Sequence, residues 1–325
     1  MRALVTGATG KVGNAVARQL HERGHEVVAL VRDPASAAAT VPAGIELARG
    51  DVTDVESLRR AAEGIEGAFN CMGLPEQWLP DAATFDRVNA QGARNVIAAA
   101  REAGAGRAVH TSTFDVFHAE TGGVVSEELV ADYPKGTAYE RSKQRAEQLV
   151  LAEAARGIEV VIVNPSGVYG PGPWAEAGWD SAMRDAIRRR LPAVPPGGLS
   201  LVYAEDCARG HLAAFERGRP GEHYILSNGY ATVRELIEAA VLAAGHGWVP
   251  PTLPPLAAAA MARGGEAISR LVGKPPLLGT GQLHFLRWQA RTDNARARDE
   301  LAVEFTPWRE GIARTVRWMS DEGRI

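Results

Sequence analysis

The fold of this chain is decided by the sequence Leu4-Val5-Thr6-Gly7-Ala8-Thr9-Gly10-Lys11-Val12-Gly13. Three glycines, spaced three residues apart, separate an apolar strand from a helical segment. Such a turn lets bare backbone approach a pyrophosphate, and the first N–H groups of the helix point at the phosphates. An ordinary structural turn is the competing interpretation. We predict a dinucleotide site whose cofactor-binding residues are Gly7, Thr9, Gly10, Lys11, Val12 and Gly13.

Strand and helix patterns alternate from this motif to about residue 165. Alternation of this kind predicts an α/β fold with a doubly wound, Rossmann-type parallel sheet, whose ligands bind beyond the carboxyl ends of the strands. We expect residues 1–165 to form the nucleotide-binding domain. Residues 166–325 form a smaller, mainly substrate-binding region, from which about 199–226 is expected to return to the core.

Composition and charge exclude several classes of function. The 325 residues are 46% hydrophobic and carry a formal net charge of −3, which argues against nucleic acid or an anionic membrane as the main partner. Two cysteines and eight histidines show no ligand spacing, so we predict no metal site. No signal peptide is recognisable, and no uncharged apolar run reaches the ~20 residues of a membrane span. We therefore expect a cytoplasmic protein.

The choice of dinucleotide depends on the tip of the second strand, Ala29-Leu30-Val31-Arg32-Asp33. An acid at this tip accepts hydrogen bonds from the ribose of NAD, whereas a guanidinium binds the 2′-phosphate of NADP. Val31 occupies the tip and Arg32 follows it, so we predict NADP rather than NAD. A shift of one residue would instead make Asp33 the NAD-selecting acid.

The third strand leads into a second candidate contact with the cofactor. Asp51 is predicted to reach the exocyclic amine of the adenine, and Val52 to contact the ring. A role for Thr53 or Asp54 at the N-terminus of the next helix competes in the same stretch.

A phenol and an ammonium stand four residues apart in Tyr139-Glu140-Arg141-Ser142-Lys143, on one face of a predicted helix. A phenol with a pKa of ~10 is a poor acid–base group until a cation stabilises its phenolate, and Lys143 supplies one. Tyr139 would then exchange a proton with a substrate oxygen. Thr113, which follows the fifth strand, would orient that oxygen. The competing interpretation is an ordinary pair on a helix surface.

Together these residues resemble the extended short-chain dehydrogenase/reductase family, part of the NAD(P)-dependent epimerase/dehydratase superfamily, over nearly the whole chain. The resemblance implies that Asn89 braces the active-site backbone or supports a proton relay. It also implies that the backbone around Pro165 and Val168 contacts the nicotinamide carboxamide. The segments Leu30–Pro34 and Pro275–Leu278 are most similar to the dihydroflavonol-reductase-like and 3β-hydroxysteroid-dehydrogenase-like branch.

The same resemblance implies a homodimer through the predicted helices Phe85–Arg101 and Tyr139–Ala155. The leading function is an NADP-dependent oxidoreductase of a small-molecule carbonyl or alcohol. A sugar-nucleotide epimerase or dehydratase with tightly bound NAD(P) is the first alternative, and a non-catalytic NADP-sensing protein is the second. Five residues beyond the strand ends are candidate substrate contacts: Trp78, Phe114, Asp115, Trp174 and Trp179. Packing in the core or in a lid is the competing role for each aromatic residue among them.

Overall fold

The computed structural model describes residues 1–172 and 178–325. The strands of the described chain are Arg2–Thr6 (β1), Glu26–Val31 (β2), Glu46–Arg49 (β3), Gly67–Asn70 (β4), Arg107–Thr111 (β5), Val124–Val125 (β6), Glu159–Pro165 (β7), Gly167–Tyr169 (β8), Gly198–Tyr203 (β9), His223–Leu226 (β10), Tyr230–Thr232 (β11) and Arg291–Thr292 (β12).

The α-helices are Lys11–Glu22 (α1), Pro34–Ala37 (α2), Val55–Ala61 (α3), Ala83–Phe85 (α4), Gly92–Glu102 (α5), Ala138–Ala154 (α6), Trp179–Ile187 (α7), Ala204–Arg217 (α8), Val233–Ala244 (α9), Pro255–Val272 (α10), Thr280–Trp288 (α11), Ala295–Leu301 (α12) and Trp308–Asp321 (α13). A π-helical turn, Asp86–Gln91, joins α4 to α5, and a 3-10 turn, Phe114–Val116, follows β5.

Within the described residues, seven parallel strands form the main sheet in the order β10-β7-β5-β4-β1-β2-β3. The chain leaves β1 toward β2 and later returns on its other side as β4, so the strand order reverses between β1 and β4. The register places Thr6 beside Asn70, and Asn70 beside His110, at the carboxyl ends. This confirms the predicted doubly wound α/β fold.

Alternate residues of these strands face opposite helical layers, as the period of a strand requires. Val5 and Ala29 pack toward α1 and α8, whereas Leu4 and Val28 pack toward α3, α5 and α6. Both layers are formed by aliphatic residues at or near zero exposure. The sheet is therefore buried on both faces, and only its carboxyl edge is open to ligands.

The C-terminal region contributes a second core of its own. β8, β9 and β11 form a small sheet that packs against α7, α9 and α13. Residues 199–226 were expected to return to the core. Val202 of β9 packs in the core of the main sheet, although β9 itself pairs with β8 and β11. α8, in contrast, packs on α1, and β10 is an outer strand of the main sheet.

The backbone is helical without a break over the predicted Phe85–Arg101, and the π-helical turn between α4 and α5 is a feature within it that was not predicted. No helix in the described part of the chain combines the length and the hydrophobicity that crossing a bilayer would require.

Candidate active site

The glycine turn after β1 is a cradle of bare backbone. Gly7 has a φ of +73°, a left-handed conformation that costs glycine little. A Cβ atom on Gly13 would lie 2.3 Å from the carbonyl oxygen of Gly7, and one on Gly7 would lie 2.8 Å from that of Cys71. Side chains are excluded from both points. The turn therefore fits a pyrophosphate, which needs close approach to the backbone.

The N-terminus of α1 adds hydrogen-bond donors to this cradle. Within the described residues, no side chain caps α1 at Gly10, so the N–H groups of its first turn are available to an anion. The ammonium of Lys11 is engaged elsewhere: it donates to the carbonyl oxygen of Gly170 over 2.5 Å and lies 2.8 Å from the carboxylate of Asp180. The contribution left to Lys11 is its backbone N–H. The other predicted residues of the turn are exposed or half-buried: Thr9, Gly10 and Val12.

Arg32 and Asp33 differ in their surroundings beyond the tip of β2. Asp33 caps α2, and its Oδ1 atom accepts a hydrogen bond from the N–H of Ala35 over 3.1 Å. Arg32 is exposed and forms no hydrogen bond or ion pair with any residue that the structure describes. The guanidinium is therefore the free polar group at this tip.

The two predicted adenine contacts have local partners of their own. The Oδ1 atom of Asp51 accepts hydrogen bonds from the N–H and the hydroxyl of Thr53, over 2.8 and 2.7 Å. Val52 is buried, and its carbonyl oxygen accepts a hydrogen bond from Asn95 over 3.0 Å. The N-terminus of α3 is capped by Asp54. Contact of Asp51 and Val52 with adenine stays a prediction.

The segment from Pro165 to Val168 lies at the carboxyl edge of the main sheet. Pro165 ends β7, and Val168 is half-buried in β8. Between them, Ser166 donates its backbone N–H to the carbonyl oxygen of Leu226 over 3.1 Å, which fixes the segment to the end of β10. Its position beyond β7 suits the predicted contact with a nicotinamide.

Tyr139 lies in the first turn of α6, whose start is fixed by a capping box of Thr137 and Glu140. Its ring packs edge-on against Phe85 at 6.1 Å. Burial, followed by the charge of Asp115, raises the pKa of Tyr139, and the neighbouring side chain of Thr113 partly offsets that rise. The phenol is therefore held in its protonated form, beside the hydroxyl of Thr113.

Lys143 follows one turn later on α6. Its ammonium donates to the carbonyl oxygen of Thr111 over 2.8 Å, and a Cβ atom on Gly73 would lie 3.2 Å from it. Burial lowers the pKa of Lys143 to about 8, against the opposing effect of Glu147. We expected this cation to lower the pKa of Tyr139. In the structure the ammonium is held at the backbone of β5, and burial raises the pKa of the phenol. Stabilisation of the phenolate by Lys143, together with an oxidised nicotinamide, stays a prediction.

Asn89 ties the active-site loop to the helices, as the resemblance implied. Its Oδ1 atom accepts from the N–H of Leu74 over 2.7 Å, and its Nδ2 atom donates to the carbonyl oxygen of Leu74 and to the hydroxyl of Ser142. It stands in the π-helical turn, a geometry that is frequent at functional sites. Asn89 thus positions the loop after β4 against the helix that carries Tyr139 and Lys143.

Asp115 is 5% exposed and belongs to the same group. The hydroxyl of Thr113 donates to its Oδ2 atom over 2.7 Å, and the N–H of Asp115 donates back to the Thr113 hydroxyl over 3.3 Å. Its Oδ1 atom is buried without a partner among the described residues. Burial, followed by the charge of Glu140, raises the pKa of Asp115 to about 7.

A cleft of about 410 Å³ adjoins this group and contains the predicted Trp78. It extends from the loop after β4 across the start of α6 to α10 and α11. Phe85, which touches the ring of Tyr139, lies in its wall. The polar lining residues are Glu76, Gln77, Thr137, Glu266, Thr280, Gln282 and His284.

The other predicted substrate residues are not in the lining of this cleft. Phe114 is buried and stacks on Trp288 at 5.6 Å, so its ring belongs to the core. Trp179 begins α7 and packs on the C-terminal core. Trp174 lies outside the described residues.

Two functional groups were missed from the sequence. Glu76 lies in the loop after β4, and burial raises its pKa to about 7. Lys135 is buried between the carbonyl oxygen of Phe117, at 3.0 Å, and the face of Trp288, at 4.2 Å. Neither residue belongs to a motif, and only folding brings them to the site. Among the described residues, no group of three His, Cys, Asp or Glu side chains is placed to hold a metal ion.

Comparison with known proteins identifies the family to which this chain is similar. Residues 3–227 match the NAD dependent epimerase/dehydratase family. Sterol demethylase protein B of Methylococcus capsulatus is 31% identical over the full length of both chains. A putative dihydroflavonol 4-reductase of Synechocystis is 28% identical over 99% of this chain and 95% of that protein. The crystal structure of gox2253 has a TM-score of 0.79 at 31% identity and covers 99% of each chain.

The matched segment spans the glycine turn, Thr113, Tyr139, Lys143 and all strands of the main sheet. A relative named as a reductase covers almost the whole chain, including the C-terminal wall of the cleft. The chain therefore belongs to the NAD-dependent epimerase/dehydratase family and is an NAD(P)-dependent enzyme of the extended short-chain dehydrogenase/reductase type.

Proposed function

We propose that this enzyme is an NADP-dependent oxidoreductase that transfers hydride between nicotinamide and a carbonyl or alcohol substrate. The observation that carries the proposal is the convergence of Thr113 and the phenol of Tyr139 beside the cleft, with the ammonium of Lys143 one turn further along α6. A protein that only sensed NADP would need the glycine turn but not this phenol.

Each group has a distinct chemical role in this proposal. The bound nicotinamide supplies or accepts the hydride. Tyr139, held protonated by burial, donates its proton to the carbonyl oxygen during reduction and takes it back during oxidation. Thr113 donates a hydrogen bond to the same oxygen. Lys143 is placed to hold the nicotinamide ribose, and Asn89 keeps the loop after β4 in register with α6.

NADP is the cofactor we infer, because Arg32 is the free polar group at the tip of β2. A guanidinium binds a 2′-phosphate through charge-assisted hydrogen bonds, and Asp33 is committed to the cap of α2. We expect the protein to act in the cytoplasm on a small molecule.

A neutral substrate fits the cleft better than an anionic one. Glu76 and Glu266 both line it, and an unpaired anion near them would be repelled. The names of two relatives, which refer to a sterol and a dihydroflavonol, describe neutral ring compounds. The alternative, a sugar-nucleotide epimerase or dehydratase, fits the family but requires a diphosphate in or near this acidic cleft.

The test is oxidation of NADPH, followed by absorbance, with a panel of neutral carbonyl compounds: acetophenone, cyclohexanone, trans-cinnamaldehyde and dihydroquercetin. We expect Tyr139→Phe to lower turnover by about 10²-fold or more, because it removes the general acid, while NADPH binding is unchanged. Tyr133→Phe is the matched control, since it removes a hydroxyl that bonds His118 at the surface.

Undiminished turnover in Tyr139→Phe would exclude Tyr139 as the proton donor. Co-purified NAD(P) without net redox change, together with binding of UDP-glucose, would favour the epimerase or dehydratase alternative.

A further inference from the structure

The hydroxyl of Thr113 has a limited number of hydrogen bonds to give. A hydroxyl offers one donor and two acceptor sites. One acceptor site takes the N–H of Asp115 at 3.3 Å, and a second contact joins the hydroxyl to the Oδ2 atom of Asp115 at 2.7 Å. The Thr113 hydroxyl can therefore turn only one hydrogen-bonding site toward the cleft, either its proton or its second lone pair. The protonation state of Asp115 determines which of the two it is.

The two protonation states of Asp115 differ in whether Thr113 presents a lone pair or a proton to the substrate. An ionised carboxylate only accepts, so it takes the single proton of Thr113 and leaves a lone pair toward the substrate. A neutral carboxylic acid donates its own proton to Thr113, and the Thr113 proton is then free to point at the substrate oxygen. Reduction of a carbonyl needs the second arrangement, because negative charge develops on that oxygen.

We propose that Asp115 is a positioning residue that sets the direction of the Thr113 hydrogen bond and thereby controls whether Thr113 stabilises the reacting oxygen. The proposal rests on the oxidoreductase function proposed above. It adds a residue that does not touch the substrate but determines what Thr113 presents to it.

The surroundings of Asp115 favour the neutral form. The carboxyl is 5% exposed, and its Oδ1 atom has no partner in the described structure, which penalises a buried negative charge. Carboxylates on the facing elements add to that penalty, and the cations oppose it. The titratable groups facing Asp115 are Glu76 from the loop after β4, Lys135 from the loop before α6, and Tyr139, Glu140 and Lys143 from α6. In this environment the pKa of Asp115 rises to about 7.

Activity should therefore fall as the medium becomes alkaline. The test measures kcat/KM for whichever carbonyl compound of the panel is reduced fastest, from about pH 5.5 to about pH 8. We expect a plateau in acid and a decrease of about tenfold by about pH 8, because roughly nine-tenths of Asp115 is ionised one unit above its pKa. The lost group is one donor to the developing oxyanion.

Two variants distinguish control of the Thr113 hydrogen bond by Asp115 from a purely structural role of Asp115. Asp115→Asn should keep the acid plateau across the whole range, because an amide N–H donates to Thr113 at every pH. Thr113→Val leaves Asp115 in place, and should be slow and lack the decrease centred near pH 7, because Asp115 then has nothing to act through. Lys143, whose pKa is about 8, affects the alkaline end of the profile of every variant alike. Asp132→Asn is the control: it removes an exposed carboxyl in the loop before α6, and should keep the decrease.

The outcomes distinguish this inference from the proposed function. If the wild-type enzyme reduces no carbonyl compound, the proposed function fails and takes this inference with it. If the wild type is active but Asp115→Asn keeps the alkaline decrease, or is as slow as Thr113→Val in acid, the role of Asp115 is refuted while the oxidoreductase stands. The role of Asp115 is also refuted if Thr113→Val keeps the decrease near pH 7, because that variant retains Asp115 but lacks the hydroxyl through which it would act.

Discussion

At the scale of single residues, we expect Arg32 to determine the preference of the enzyme for NADP over NAD. Arg32→Ala should weaken NADP binding by about tenfold or more, since a hydrogen bond to a charged group contributes roughly 1.5–3 kcal/mol. NAD lacks the 2′-phosphate, so its dissociation constant should change little. Fluorescence titration with both cofactors measures the two effects. The matched control is Arg60→Ala, an exposed arginine on α3. Equal losses for the two cofactors would contradict the assignment.

Asp115 also links the site to the stability of the protein. Its pKa rises from the ordinary 3.8 to about 7 on folding, so the folded state binds the extra proton between these values. The stabilisation is complete below the lower value and is lost as the pH rises through the higher one.

Asp115→Asn should therefore raise the free energy of unfolding relative to wild type above about pH 7, and change it little near pH 4. The upper bound is roughly 4 kcal/mol, because one unit of pKa corresponds to about 1.4 kcal/mol. Urea denaturation at the two pH values measures this difference. Asp132→Asn, at an exposed position, is the control and should show no such pH dependence. A variant that is less stable than wild type at pH 8 would contradict the expectation.

At the scale of elements, the contact between α1 and β1 depends on glycine. Gly13→Ala puts a methyl group 2.3 Å from the carbonyl oxygen of Gly7, and backbone cannot yield as a flexible side chain does. We expect α1 to shift, with a loss of about 1–3 kcal/mol in stability and most of the NADPH affinity. Thermal unfolding and NADPH titration measure both quantities. Gly106→Ala is the control, because open space surrounds its Cβ position.

Elements with a repeating local pattern were predictable from the sequence. α6 appears within one residue of the expected Tyr139–Ala155, because its apolar period and its Thr137–Glu140 capping box are local signals. The π-helical turn within Phe85–Arg101 was not predicted, and its residue Asn89 bonds Leu74 and Ser142, which are remote in sequence. α7, α9 and α11 were missed because loops rich in proline and glycine hid their boundaries.

In the candidate site, residues that belong to sequence motifs were predictable, and residues outside motifs were not. The glycine turn, Thr113, Tyr139, Lys143 and Asn89 come from motifs, and the fold brings them to one edge of the sheet. Lys135 and Glu76 belong to no motif, and their burial depends on packing between distant elements. Phe114 shows the opposite error: its ring was expected to contact the substrate because it is next to Thr113, but it packs in the core against Trp288.

At the scale of the whole molecule, the cleft is shared between the two regions of the chain. Trp78 and Glu76 come from the sheet side, whereas Glu266, Gln282 and His284 come from α10 and α11. If this cleft binds the substrate, as proposed, we expect selectivity to depend on the region that follows residue 227, beyond the segment that matches the family. This division explains how one cofactor-binding half can serve different substrates.

The expected homodimer through α5 and α6 stays a prediction, and the charge of that face determines its behaviour. The outward residues of these helices include Arg94, Arg141, Arg145 and Gln148, and none of the large exposed apolar residues of the described chain lies on them. Arg94 lies 3.1 Å from Glu153 and Arg145 lies 3.4 Å from Asp86, whereas Arg141 bonds backbone carbonyl oxygens and has no carboxylate partner in the described structure. In a twofold dimer a surface meets its own copy, so the charge of Arg141 repels its copy. Such a dimer is weaker than the apolar interfaces of obligate dimers.

Association through this face should tighten as NaCl rises from about 50 to about 500 mM, because salt screens the repulsion. Arg141→Gln should lower the dissociation constant at low salt, since it removes from each copy one positive charge that has no carboxylate partner in the described structure. Arg317→Gln, on the exposed side of α13, is the matched control and should leave association unchanged. Sedimentation velocity measures both effects. A dimer that dissociates with salt, or that responds equally to the two variants, would place the interface on another face.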